Sequence, residues 1–553
     1  MGEKEETTGR QRPDPVSAKD WVKPGYAWGL VGFILLVDIA LRVHLLGVPL
    51  ERDEGEYAYA GQLILQGFLP YAKVYTMKLP GIYGAYALMM AILGQTLIGI
   101  HLGLMLVNLA TIIFIFLLGK QLVDRTTGII AAASFAVLSV GQSVQGMVAN
   151  TEHFVILPAM AGMLVLLRAT DSPRSQPLFL SGLLFGIAFL MKQHGAAFIA
   201  FALVYLIYQG WSTQSPSLKL VITNILIFLA GAALPFTLIC LFFFADGTFD
   251  KFWFWTFTYA REYVSLTSPA QGWENFLHNF RAIVFSAPLL WVLAGWGLLA
   301  LIIDPRARPR LFFFETLVIF SFLATVPGFY FRPHYFVLVL PAVSLLIGLG
   351  LSSMGRLLAN AGQITAKLVP VVIILSALGF TVYQQSHFLF GVDPVMASRL
   401  MYQSGDPFPE SLKIAQYLKE RTSSEDTIAV MGSEPQIYFY AHRHAATGYI
   451  YTYPLMEREP YAVRMQEEMI REIEASRPAY LVFVAFPESL GTGPDSPGII
   501  LDWFRRYSSD FYDCVGVVEV NISPNLTKYN WAKGVKGCQP SSHSVYVYKR
   551  KRY

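Results

Sequence analysis

The chain has 553 residues, of which 54% are hydrophobic and only 14% charged, against about 25% charged in an ordinary soluble chain. That balance excludes a plain cytosolic enzyme, a disordered chain and a fibrous one. Apolar runs of about 20 residues, long enough to cross ~30 Å of hydrocarbon, recur through the first two thirds and point to a polytopic membrane protein. Three cysteines exclude a disulfide scaffold and a thiolate zinc site. The formal charge of +4 matters less than where the Lys and Arg residues fall.

Residues 1–25 read as a polar cytoplasmic tail without a signal-peptide cleavage site. A first span covers about 26–46. Further apolar runs centre on 100–119, 127–148, 154–168, 178–192, 195–209, 220–244, 282–303, 311–327, 335–352 and 368–388. Lys120 with Arg125, Arg168, Arg174, Lys219, the Arg306/Arg308/Arg310 cluster, and Arg356 with Lys367 punctuate them. Placing all of these on the cytoplasmic side gives about eleven spans, an inside N-terminus and an outside C-terminus. Residues 81–98 are then a short helix at the outer surface, within a first outer loop over 47–99. The expected organisation is a transmembrane domain over 26–390 and an extracytoplasmic α/β domain over 391–553. In the latter, PESLKIAQYLKE and EREPYAVRMQEEMIREIEA read as helices, and TIAVMG and AYLVFVAF as strands. Cys514 and Cys538 fall there, where both a disulfide and two free thiols are compatible with the sequence.

Polar residues that carry chemistry gather in the expected outer segments. The first loop opens with Glu51-Arg52-Asp53-Glu54-Gly55-Glu56-Tyr57. Four acids beside a span are costly unless they are used. A structural reading is a capping box in which Asp53 caps a helix over about 54–66 and Glu56 closes it; the functional reading is a base or metal site. Further on come Tyr71, Lys78 ahead of Pro80-Gly81, and Glu152-His153 at the end of the third span. Lys192 follows, then Phe331-Arg332-Pro333-His334-Tyr335 in a short outer turn. The aromatic segment 245–281, with Arg261 and Glu262, reads as an interfacial belt or as a cover over a site.

These motifs together resemble the glycosyltransferases of the GT-C fold that use polyprenyl-phosphate sugars. RDEGEYAYAG at 52–61, G-x-x-PY at 67–71, K-x-PG at 78–81 and NTEHF at 150–154 are similar to the group of protein O-mannosyltransferases and lipid A aminoarabinose transferases. The resemblance covers about residues 28–390. It implies an inverting transferase that moves a sugar from a polyprenyl phosphate to an acceptor hydroxyl at the outer face. Asp53 matches the expected catalytic base, with Glu54 beside it, and Glu152 matches the second acid. Lys78 matches the lysine that meets the lipid phosphate, with Lys192, Arg261, Arg332 and Tyr335 as helpers. Glu56, Tyr57, Tyr71, His153 and His334 fall where substrate is positioned. A divalent metal is compatible with so many acids, although Met77 stands where an acid often precedes the lysine in the aminoarabinose group.

The implied partners are the lipid-linked sugar donor, a lipid, glycan or protein acceptor, and membrane lipids, with no nucleic acid. Inversion needs base and leaving phosphate on opposite faces of the sugar, so Asp53 and Lys78 are expected to flank it without touching. The alternatives are a transporter or flippase for a lipid-linked or polar solute, and an inactive scaffold. Acids at span ends on one side, no repeated half, and a large outer domain favour the transferase.

Overall fold

Inside hydrocarbon each backbone N–H and C=O must be satisfied within its own segment, and the apolar runs accordingly fold as helices. The computed structural model describes residues 22–171, 175–212, 216–402, 405–458, 460–521, 523, 526–532 and 543–551. Most of the expected N-terminal tail and Cys538 lie outside them. The helices, in chain order, begin with α1 (Pro24–Val43), α2 (Arg52–Leu65), α3 (Gly81–Leu93), α4 (Leu97–Leu122) and α5 (Arg125–Leu138). They continue with α6 (Thr151–Asp171), α7 (Ser175–Met191), α8 (Ala196–Trp211) and α9 (Leu218–Asp246). Next come α10 (Phe249–Trp253), α11 (Ala260–Val264), α12 (Pro269–Ser286), α13 (Pro288–Ile303), α14 (Leu311–Leu323), α15 (Leu340–Leu357) and α16 (Gln363–Gln384).

Among the described residues seven helices are long and apolar enough to cross a membrane, or eight if the bent pair α12–α13 counts as one. The other apolar runs fold as shorter helices, of which α3 has 13 residues and α5 has 14. At ~1.5 Å per residue, α3 reaches only ~20 Å before Gly94 ends it with φ 91°. The run expected over 282–303 differs most. The chain turns by 99° between α12 and α13, at Ala287 (φ −148°, ψ 51°) just ahead of Pro288. Proline disfavours the helical conformation in the residue before it.

Small residues set the packing inside the bundle. A Cβ on Gly182 would meet the Phe228 carbonyl oxygen at 2.0 Å, and one on Gly186 the Ala232 oxygen at 2.3 Å. The backbones of α7 and α9 therefore touch, as small-xxx-small pairs allow in membranes. This contact fixes α7, whose last residue precedes Lys192. At the far end of α15, Arg356 pairs with Asp124 at 2.8 Å and Asp304 at 2.6 Å, joining three inter-helix turns.

The C-terminal part is a sheet domain. Its helices are α17 (Pro394–Tyr402), α18 (Phe408–Lys419), α19 (Gln436–Ala441), α20 (Tyr453–Met456), α21 (Ala462–Ser476), α22 (Pro487–Leu490) and α23 (Ile499–Phe511). Its strands are β1 (Thr427–Met431), β2 (His444–Ala445), β3 (Tyr480–Ala485), β4 (Tyr512–Glu519), β5 (Lys528–Trp531) and β6 (Ser544–Arg550), in the order β2-β1-β3-β6-β4-β5. Pairing of β1 with β2 and with β3 is parallel, and the remaining pairings are antiparallel. Val482 lies between Val430 and Val547, in a core row of β-branched residues.

The sheet domain docks on α2 through α19. The aromatic stretch Tyr438–His444 serves this contact: the Tyr440 hydroxyl receives the Leu50 N–H at 2.9 Å, and the Tyr59 hydroxyl receives the Ala445 N–H at 2.8 Å. Arg52 bridges to Asp406 and Glu434 of the domain. At the closest approach, a Cβ on Gly55 would sit 2.5 Å from the Gln436 backbone nitrogen. Gly55→Ala therefore has to push the domain off α2. We expect a loss of about 1–3 kcal/mol, the usual cost of overpacking. Thermal unfolding in detergent, with limited proteolysis of the sheet domain, measures it.

Candidate active site

The start of α2 is fixed by a capping box, but not the expected one. Glu51 accepts the Glu54 N–H at 3.0 Å, and the Glu54 carboxylate accepts the Glu51 N–H at 3.3 Å. Asp53 is thereby relieved of capping and, in the first turn, its side chain faces a cavity. Glu54 turns the other way: it is fully buried and also binds His101 Nε2 at 3.0 Å and the Ala149 N–H at 2.7 Å. It holds α2 to α4 and to the start of α6, and does not reach the cavity.

Lys78 lies 3.2 Å from Asp53, and the two side chains keep 15% and 20% of their exposure. The two groups touch, where the sequence reading has them flank a sugar: opposite charges at a half-dry site close on each other. Tyr71 holds the backbone of this segment, donating its hydroxyl to the Lys78 carbonyl at 2.6 Å. Tyr57 lies beneath the ammonium, 5.6 Å from ring centre to Nζ. Glu56 accepts from Thr76 at 2.7 Å and Tyr83 at 2.5 Å; its second oxygen is buried and has no partner among the described residues.

The cavity, of about 170 Å³, is lined by Asp53, Glu56, Lys78, Lys192, Arg332 and Tyr335 among others. Glu152, buried behind the lining, pairs with Lys192, whose ammonium sits 4.1 Å from the Tyr335 ring centre. Arg332 donates to the Tyr263 hydroxyl at 3.1 Å. His334 reaches Gln145 at 2.9 Å, next to the lining, and His153 reaches Asn108 of α4 at 3.2 Å, away from it. Arg261 is not brought to the cavity either: it is 80% exposed and pairs with Glu262. Its aromatic neighbours take that place. Residues Phe254–Tyr259 form a π-helical turn between α10 and α11, and Trp255, Tyr259 and Tyr263 wall the cavity. Gln193 ties this turn to the lysine segment, donating to the Met77 and Thr256 carbonyls at 3.0 and 3.3 Å.

The sheet domain supplies the remaining wall, through Tyr451, Tyr453 and Glu457. Tyr451 donates to the Arg52 carbonyl at 2.9 Å and lies 3.3 Å from Asp53. Sequence reasoning missed these residues. The only signal is the YIYTYP run at 449–454, which no local rule connects to a loop 400 residues earlier.

Electrostatically, burial alone would raise the Asp53 carboxyl. Lys78, Arg332, His334 and Lys192 outweigh it and hold Asp53 well below the usual carboxylate range. Burial would lower Lys78, but Asp53 and then Glu56 raise it above an ordinary lysine. Both are therefore charged at neutral pH. Among the described residues no three His, Cys, Asp or Glu side chains are grouped to hold a metal. Asp53 pairs with Lys78, one Glu56 oxygen is taken by Tyr83 and Thr76, and Met77 brings no oxygen ligand to the lining. This donor set does not fit a divalent cation, which wants several oxygens.

Burial lifts the Glu457 carboxyl to about 7, against the Tyr259 hydrogen bond and the Arg332 charge, which both lower it. Folded Glu457 thus keeps its proton over a range where an unfolded glutamate, at 4.5, has lost it. Its stabilising contribution is complete below that lower value and disappears as pH rises through about 7. Glu457→Gln should remove this dependence. Unfolding free energies measured from about pH 5 to pH 8 should fall more steeply for the wild type, by up to about 3 kcal/mol.

Comparison with known proteins agrees with this architecture. Residues 80–239 match the family model described as dolichyl-phosphate-mannose-protein mannosyltransferase. Comparison with curated protein sequences gave no match. ArnT from Cupriavidus metallidurans, solved with undecaprenyl phosphate, superposes with a TM-score of 0.57 at 15% identity, over 95% of this chain and 98% of its own. The oligosaccharyltransferase of Archaeoglobus fulgidus gives 0.55 at 14% identity, over 94% and 76%. The arabinofuranosyltransferase AftD from Mycobacteria gives 0.50 at 13% identity, over 96% and 40%. A helical bundle with a C-terminal sheet domain, in this arrangement, is the GT-C fold, and the chain is a membrane protein of that fold, similar to the glycosyltransferases that share it.

Proposed function

We propose that the chain is an inverting glycosyltransferase that moves a sugar from a polyprenyl-phosphate donor to an acceptor hydroxyl, at the outer face of the membrane. The observation that carries this reading is the Asp53–Lys78 pair inside a cavity that also presents Lys192, Arg332 and Tyr335. A carboxylate kept ionised beside three cations suits a reaction in which one group gains a proton and another gains negative charge.

In this reading the donor phosphate takes Lys78 away from Asp53 as it binds. Lys78, Lys192 and Arg332 then stabilise the charge that grows on the phosphate as the bond from the anomeric carbon to its oxygen breaks. The electron pair of that bond leaves with the polyprenyl phosphate. The acceptor oxygen attacks the opposite face of the anomeric carbon and gives its proton to Asp53. Drawing Lys78 onto phosphate removes the main charge that depresses Asp53, so donor binding makes the base stronger. Glu152 acts through Lys192 as a positioning group, and Glu56, with its unpartnered oxygen, is available to a sugar hydroxyl. A transporter needs a path to both sides. The charged groups that line this cavity, Asp53, Lys78, Lys192 and Arg332, come from loops and helix ends and not from the middle of spans, which supports the transferase instead.

The test is release of polyprenyl phosphate from a panel of radiolabelled polyprenyl-phosphate sugars by the purified protein. Asp53→Asn should lower turnover by about 10³-fold, within the usual weight of a general base, and keep donor binding. Lys78→Ala should weaken donor binding as well as rate. Near-normal turnover by Asp53→Asn contradicts the assignment of the base.

A further inference from the structure

A second cavity, of about 280 Å³, adjoins the first and shares the Tyr75 and Trp255 side chains with it. These two rings stack at 5.9 Å and 13°, and Tyr449 stands edge-on to Tyr75 at 4.9 Å. Their polar ends are pinned. Tyr75 donates to Glu472 at 2.9 Å and receives the Lys251 ammonium at 3.1 Å, while Tyr449 donates to Glu468 at 2.9 Å. Across the opening, Tyr461 packs against Phe254 at 5.2 Å. Arg464 is exposed on the rim and has no ion-pair partner among the described residues. One wall is therefore the membrane-side turn Phe254–Tyr259, a π-helical insertion of the kind that often marks a functional site. The other wall belongs to the sheet domain.

We propose that this second cavity is an acceptor subsite for a carbohydrate chain, whose terminal hydroxyl passes the Tyr75–Trp255 wall to reach Asp53. The inference rests on the transferase reading of the first cavity and names its acceptor class. The half-buried Phe254 and Tyr461 rings offer apolar surface to the C–H faces of sugar rings. Lys251, Arg464, Asp250 and Glu468, both signs at close quarters, offer donors and acceptors to hydroxyl groups. A lipid tail would leave those charges unsatisfied. Strand addition by an extended peptide needs a free sheet edge, and the lining comes from helices and loops only.

The experiment titrates the full chain in detergent with short oligosaccharides cut from dextran, mannan, galactan and arabinan, and with Ser/Thr-containing peptides, following tryptophan fluorescence. Saturable binding of a saccharide is expected, with a signal that Trp255→Phe removes. Arg464→Ala, at an exposed position, and Tyr461→Ala, which also gives up the Phe254 contact, should each weaken it about tenfold, the weight of one good polar or stacking contact. The proposal is overturned if no saccharide binds, if binding ignores both rim variants, or if only peptides bind. Donor cleavage by the wild-type chain is read separately. A chain that cleaves donor but binds no saccharide overturns the subsite alone, and one that cleaves no donor overturns the transferase reading.

Discussion

The ion pair between Asp53 and Lys78 is the constraint around which the site is arranged. Two charges held with little water are expensive unless each is satisfied, and the neighbouring structure supplies that satisfaction piece by piece. The Glu51–Glu54 capping box aims Asp53, the Tyr71 hydroxyl holds the Lys78 backbone, and Tyr451 reaches Asp53 from the sheet domain. The Glu152–Lys192 pair repeats the arrangement on the other side of the cavity, delivered by α6 and by the end of α7. The close Gly182–Gly186 contact with α9 fixes where that end lies.

The same constraint explains why the sheet domain is part of the site. Tyr451, Tyr453 and Glu457 close the cavity, and they can do so only because Gly55 allows α19 to lie against α2. A domain joined by a flexible tether could not hold a tyrosine hydroxyl 3.3 Å from a carboxylate without losing the entropy that docking has already removed. The π-helical turn between α10 and α11 plays the matching part from the membrane side, with Gln193 as its tie to the Met77 carbonyl beside Lys78.

Much of this was legible in the chain itself. Four acids after a span, a lysine before Pro-Gly, and RPHY between two spans marked the cavity, because ionisable groups at such depth are rare without a use. What local sequence could not settle was which acid does what. Glu51-x-x-Glu54 and Asp53-x-x-Glu56 are both capping patterns, and the choice between them turns on His101 of α4 and on the Ala149 N–H just ahead of α6, contacts distant in sequence. Arg261 was misjudged for a related reason, since a π-helical turn changes which residues of an aromatic stretch face inward. The bend at Ala287 and the strands β4 to β6 also depended on partners far along the chain. Short helices such as α5 and α14 read as full spans because composition reports apolarity and not where a helix ends.

The most direct test of the account is an experimental structure of the protein with polyprenyl phosphate bound. Phosphate oxygens are expected on Lys78 and Arg332, with the Asp53–Lys78 contact opened and Asp53 facing the space where the anomeric carbon would lie. A phosphate bound elsewhere, with that ion pair intact, would contradict it.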